Sequence, residues 1–132
     1  MRLLLDTRVA IQATANHPNL SDKARRLIGA ADAIIFVSAA TIREISIKNA
    51  APGHGGLTGM PTSGVNALSY FKAAGFQMLD ISTAHTVAVE SLPPLHAAPF
   101  DRMLVAQALT VPLRLLTANR RVAAYSDVVI LV

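Results

Sequence analysis

Met1-Arg2-Leu3-Leu4-Leu5-Asp6-Thr7 opens the chain, and the fold turns on how this stretch is read. Successive side chains of a strand point to opposite faces, so an unbroken leucine run implies a strand covered on both faces. A strand is therefore expected from Arg2 to Asp6, with the carboxylate of Asp6 at its carboxyl end. Such a strand belongs to a sheet with helices packed on each side, and the rest of the chain is patterned to supply them.

Ser21 can cap a helix running through Lys23, Ala24, Leu27 and Ile28 toward Ala31, followed by an apolar strand from Ala33 to Val37. Ser38 reads as the next cap. From Ala39 to about Asn49, Ile42 and Ile45 recur at helical spacing, with Arg43 and Lys48 free to face water and Glu44 beside the core. Residues 51–64, rich in Gly and Pro, read as an irregular loop. A helix from Val65 to Ala74 closed by Gly75, a strand from Phe76 to Ile81 and a Ser82-capped helix through Val89 continue the alternation. Pro99 suits the first turn of a helix carrying Asp101, Leu104, Val105 and Ala108. Leu113 to Leu116 and Val128 to Val132 read as the last strands, with a short basic helix or turn from Asn119 to Ala124 between them. Each strand needs a crossover helix to return in the same direction, so the expectation is one α/β domain over residues 1–132 with a mainly parallel central sheet. Sites in such sheets form beyond the carboxyl ends of the strands.

Composition narrows the chemistry. There are eight Asp and Glu against twelve Lys and Arg, and no cysteine. Without thiolates, only carboxylates and histidines remain as plausible metal ligands, which favours a hard, oxygen-bound ion. His17, His54, His85 and His96 show no zinc spacing, and the glycines at 53, 55, 56 and 59 form no phosphate loop. The formal charge of +4 favours a polyanionic partner. No run approaches the ~20 apolar residues of a membrane span, and no signal-peptide core precedes Asp6, so a cytoplasmic location is the default expectation.

Asp6, Glu44 and Asp101 stand out because each lies in an apolar stretch, where a carboxylate needs a specific reason to be. Plainer readings exist for each: Asp6 as a turn former, Glu44 as the i, i+4 partner of Lys48, and Asp101 as a favourable charge at a helix N-terminus. Topology allows all three to converge on one pocket beside the segment Thr117 to Asn119. Carboxylates held together repel, and a cation relieves them; magnesium or manganese suits oxygen ligands of this kind. A metal that acidifies water and neutralises a phosphodiester supports nuclease chemistry.

Four stretches together, LLLDT from Leu3, SAATIREISIK from Ser38, PFDRMLVAQAL from Pro99 and LLTANRR from Leu115, resemble a PIN-domain protein of the VapC toxin type. The resemblance runs nearly the whole chain in the right order. It implies a magnesium- or manganese-dependent endoribonuclease, usually a homodimer, silenced by a cognate antitoxin, in which the early helices offer a groove to an antitoxin helix. It places Asp6, Glu44 and Asp101 as the catalytic, metal-holding acids, with Asn119 in a fourth, usually acidic, position. Apart from the resemblance, Thr7, Ser38 and Thr117 could position water or a carboxylate from the pocket rim, Ser38 being adequately explained as a helix cap, and Arg102, Arg120 and Arg121 are candidates for contact with RNA phosphates. Three positions depart from the family pattern: Asn119 replaces an acid, Ala98 replaces the first Asp of the late motif, and Arg8 follows Asp-Thr where His is frequent. They motivate the rival expectation of a catalytically weakened scaffold that binds antitoxin or RNA without efficient cleavage. A small-molecule-binding α/β domain is disfavoured because no glycine-rich loop follows Asp6.

Overall fold

Leucine side chains alternating across one strand organise two cores. In a computed structural model that describes residues 1–50 and 62–132, strand β1 spans Arg2–Leu5. Leu3 and Leu5 point into one apolar cluster and Leu4 into the other, all three without solvent exposure. The chain continues through α1 (Thr7–Thr14), α2 (Asp22–Ile28), β2 (Ile34–Ser38), α3 (Ala39–Ala50) and α4 (Gly64–Ala73) to β3 (Gln77–Leu79). It then forms α5 (Thr83–Ala88), a 3₁₀ turn at Val89–Ser91, α6 (Pro99–Thr110), β4 (Arg114–Thr117), α7 (Arg120–Ala123) and β5 (Val129–Leu131). All strand pairs are parallel, in the order β3-β2-β1-β4-β5. The chain starts in the middle of the sheet, builds outward to β3, and returns to the other side of β1 as β4. The crevice between β1 and β4 is thus the switch point at which open parallel sheets build their sites.

Helices α1, α2 and α4 supply Val9, Ala10, Ala24, Ala67 and Phe71 to the cluster around Leu3 and Leu5. On the opposite face Leu104, Val105 and Ala108 of α6 and Val122 of α7 pack with Leu4 and Leu115. Expectation and structure agree on the alternation and differ at the ends. Asp6 is not the last residue of the strand but the N-cap of α1, a helix the pattern did not announce; its Oδ1 accepts from the Val9 N–H at 2.8 Å. Helix α2 stops at Ile28, with Gly29 as its C-cap, short of Ala31. The strand expected from Phe76 to Ile81 pairs only over Gln77–Leu79. Ser82 and Pro99 begin their helices as expected, and Gly75 follows α4 at φ +83°, a backbone that disfavours side chains. Of the loop read at 51–64, residues 51–61 lie outside the described residues, and Gly64 already begins α4.

One polar residue is buried in the middle of α6. Gln107 Oε1 accepts from Ser38 Oγ at 2.5 Å, while its Nε2 donates to the Asp80 carbonyl at 3.3 Å and lies 3.2 Å from His85 Nδ1. It stitches the carboxyl ends of β2 and β3 to α6 with no exposed atom. Gln107→Leu removes a donor and an acceptor at once and leaves buried partners unsatisfied, so a loss of about 1–3 kcal/mol is expected. Urea unfolding with an unchanged slope and a lowered midpoint would register it; an unchanged midpoint would mean that water or a shifted side chain replaces these bonds.

Candidate functional site

Parallel pairing of Leu5 with Leu116 brings the ends of β1 and β4 side by side, and a cleft of about 610 Å³ opens beyond them. Asp6, Glu44 and Asp101 line it, together with Asn119 and three arginines, Arg8, Arg120 and Arg121. Residues from the β1–α1 junction, α3, α6 and the segment from the end of β4 into α7 therefore meet in one place, as the order of the elements requires.

Asp6 is held most tightly. Its backbone N–H donates to Leu116 O at 3.0 Å, its Oδ1 caps α1, and its Oδ2 accepts from Thr117 Oγ1 at 2.5 Å. Thr117 is fully buried beneath it. Burial pushes the Asp6 carboxyl above the ordinary aspartate value, chiefly through desolvation and further through the nearby charge of Asp101; the hydrogen bonds from Thr117 and Val9 and the charge of Arg8 oppose the rise.

Glu44 projects from α3 with its side chain only 15% exposed. Its Oε1 accepts from Thr7 Oγ1 and its Oε2 from Lys48 Nζ, each at 2.6 Å. Thr41 Oγ1, on the same helix, sits 3.1 Å from Thr7 Oγ1. Pairing with Lys48 and facing the cleft thus coexist. Asp101 occupies the first turn of α6, and its Oδ2 lies 3.4 Å from His96 Nε2. Asn119 caps α7 by accepting from the Arg121 N–H at 2.9 Å, and its own N–H donates to Thr117 Oγ1 at 3.0 Å.

Three of the singled-out residues do not line the cleft: Thr117 lies buried beneath Asp6, and Ser38 and Arg102 serve other surroundings. Ser38 is buried at the end of β2, where its Oγ accepts from the Ala40 N–H at 3.0 Å and donates to Gln107. Arg102 turns away from Asp101; its guanidinium donates to Pro93 O and to Tyr125 Oη, each at 2.9 Å. Successive helical residues point about 100° apart, so neighbours in sequence serve different surroundings. His96, whose spacing gave no metal signal, stands directly behind Asp101.

As placed, no three Asp, Glu or His side chains among the described residues lie close enough to hold one ion together. The donor chemistry nonetheless fits a hard divalent cation. The cleft offers carboxylate and amide oxygens and no sulfur, and magnesium is typically held by one or two carboxylates while keeping several waters. Asp6 and Asp101 are the carboxylates that feel each other's charge, and a cation would offset both that repulsion and the desolvation of Asp6.

By sequence, no curated protein matches the chain. Among solved structures, VapBC2 from Rickettsia felis, crystallised bound to a DNA fragment from its promoter, superimposes with a TM-score of 0.69 at 16% identity, covering 100% of this chain and 98% of its own. A toxin–antitoxin complex from Klebsiella pneumoniae gives 0.61 at 21% identity over 97% and 95% of the two chains. Likeness at these identities speaks for the fold. The family model described as PIN domain matches residues 3–128, from the first leucine of β1 to the residue before β5, and so takes in every residue that lines the cleft. The chain belongs to the PIN domain family.

Proposed function

We propose that the protein is a divalent-metal-dependent endoribonuclease and the toxin of a toxin–antitoxin pair. The observation that carries this reading is the half-buried Asp6, whose carboxyl is pushed above its ordinary value, beside Asp101 at the β1–β4 switch point of a PIN domain. Asp6 and Asp101, with Glu44 and Asn119 completing the oxygen set, would hold magnesium or manganese. Such an ion, when bound, acidifies an attacking water and neutralises charge developing on the phosphodiester. Thr117 and the Val9 N–H fix the two oxygens of Asp6, while Thr7 and Lys48 fix those of Glu44. Arg8, Arg120 and Arg121 suit RNA phosphates, whose contacts fix position rather than sequence. Cleavage in this reading leaves a 5′-phosphate and a 3′-hydroxyl.

An apolar groove of about 290 Å³ between α1 and α4, lined by Ile11, Ala67, Tyr70 and Phe71, supports an antitoxin helix as partner. A homodimer acting in the cytoplasm belongs to the same proposal; among the described residues no helix is long and apolar enough to cross a membrane. A second reading, a scaffold that binds RNA or antitoxin with little cleavage, is favoured by the prior engagement of both Glu44 oxygens and by the neutral Asn119.

Antitoxin-free protein should cut pooled cellular RNA in magnesium or manganese, and Asp6→Ala should lose roughly 10²-fold or more of that activity, the scale of a lost preorganised electrostatic contact. Folded protein that cuts nothing in either metal would leave the scaffold reading. Asn119→Asp should tighten manganese binding in isothermal titration, because it adds a carboxylate while keeping an equally good helix cap; unchanged binding would show that the amide oxygen already serves.

Asp6 also makes a pH prediction. Its folded pKa lies above the ordinary 3.8, so the native state keeps its proton longer than the unfolded chain. Stability associated with neutral Asp6 is therefore present below 3.8 and lost as pH rises from there through the folded value. In chelator, Asp6→Asn should be spared that loss and melt above the wild type at neutral pH, with the two curves converging in acid. Saturating manganese should close the gap by stabilising only the wild type. Parallel melting curves across this range would refute the charge strain.

A further inference from the structure

We propose that His96 is a positioning residue for Asp101, locked in a single tautomer by Tyr125 and Arg102. This rests on the reading of Asp101 as a metal-holding acid. Arg102 has only donors. Its Nη1 lies 2.9 Å from Tyr125 Oη, and its guanidinium carbon is 5.8 Å from the centre of the Tyr125 ring. Further bonds to Pro93 O at 2.9 Å and Val89 O at 3.4 Å hold the guanidinium in this place. The Tyr125 oxygen is thereby an acceptor toward Arg102, and its one proton is left to donate. The nearer acceptor is His96 Nδ1 at 2.7 Å; the alternative, His96 O, is at 3.4 Å. An Nδ1 that accepts places the ring proton on Nε2, and Nε2 is the atom 3.4 Å from Asp101 Oδ2.

The polarity of the chain of bonds is thus dictated from its far end: Arg102 to Tyr125, Tyr125 to His96, His96 to Asp101. The His96 side chain is 8% exposed and its ring packs against Tyr125 at 5.3 Å between centres, so the donor has little freedom to swing away. Asp101 itself is 29% exposed on the cleft side. Holding Oδ2 from behind selects the oxygen and the rotamer that the cleft receives. Supporting groups of this kind orient carboxylate ligands, and their loss typically lowers metal affinity about 10–100-fold.

Ring ¹⁵N spectra of the metal-free protein at neutral pH should show His96 as the Nε2–H tautomer, and Tyr125→Phe should mix the two tautomers. A wild-type ring protonated on Nδ1, or a spectrum unmoved by Tyr125→Phe, would overturn the proposal. Manganese titration followed by electron paramagnetic resonance should show about tenfold weaker binding for His96→Leu and near-wild-type binding for His96→Gln, whose amide restores a donor. Wild-type affinity in His96→Leu, with weak binding in Asp101→Asn, would remove the positioning role and leave the metal reading intact. Wild-type affinity in Asp101→Asn would sink the metal reading itself, and this inference with it. Should His96→Leu fail to fold by circular dichroism, the Tyr125→Phe spectrum and the His96→Gln affinity decide alone.

Discussion

A half-buried carboxylate, fixed where β1 ends and α1 begins, is the constraint around which the molecule is arranged. Asp6 cannot shift without uncapping α1, releasing Thr117 and breaking the backbone bond to Leu116. Those contacts exist only because β1 and β4 pair in one register, Leu5 opposite Leu116, with Leu4 and Leu5 committed to opposite cores. A slip by one residue would turn every leucine of β1 to the wrong face, so the packing that stabilises the sheet also fixes the cleft.

The three acids of the cleft are compensated in three different ways. Glu44 has a full positive charge against it, from Lys48. Asp101 has an imidazole at one oxygen, and Asp6 has a hydroxyl and a backbone N–H. At Asp6 desolvation and the charge of Asp101 outweigh the two hydrogen bonds and the charge of Arg8. Asp6 is thus an acid whose ionised form its surroundings disfavour. Under the proposed function, a cation between Asp6 and Asp101 would offset the charge of both, and Glu44, bound to Lys48, would join them at the cost of part of that contact.

Much of this was legible in the chain. The leucine run gave β1 and the parallel order, and three acids plus Asn119 in four separate stretches gave the members of the cleft. Helix α1 is not, because one residue does two things: the pattern presents Asp6 as the end of a strand, and its second role as a helix cap is hidden behind the first. Ser38 and Arg102 are expected at the site, and strand and helix geometry send them elsewhere. The placement of His96 depends on the path of the loop through Pro93, Pro94 and Pro99, and no periodicity encodes such a path. Gln107 reads in sequence as a polar residue in an apolar helix, and only tertiary structure supplies the partners that make its burial tolerable.

Asn119 shows how the fold and the site can be changed separately. As the cap of α7 it accepts one bond from Arg121 N–H, and Asn and Asp cap helices about equally well. The fold is therefore indifferent to an acid there, whereas the cleft is not. With a neutral amide at 119, three carboxylates face Arg8, Arg120 and Arg121, and the lining is close to charge balance. An additional acid would tilt it toward cations and weaken its hold on phosphate oxygens. Under the proposed function, the amide would favour an anionic chain that brings its own share of oxygens to the metal. Magnesium sites shared between a few carboxylates and substrate phosphates work on that division of ligands. Under the proposed function, metal and RNA would each favour the other's binding, because the phosphates would supply ligands to the metal and the metal would supply charge to the phosphates.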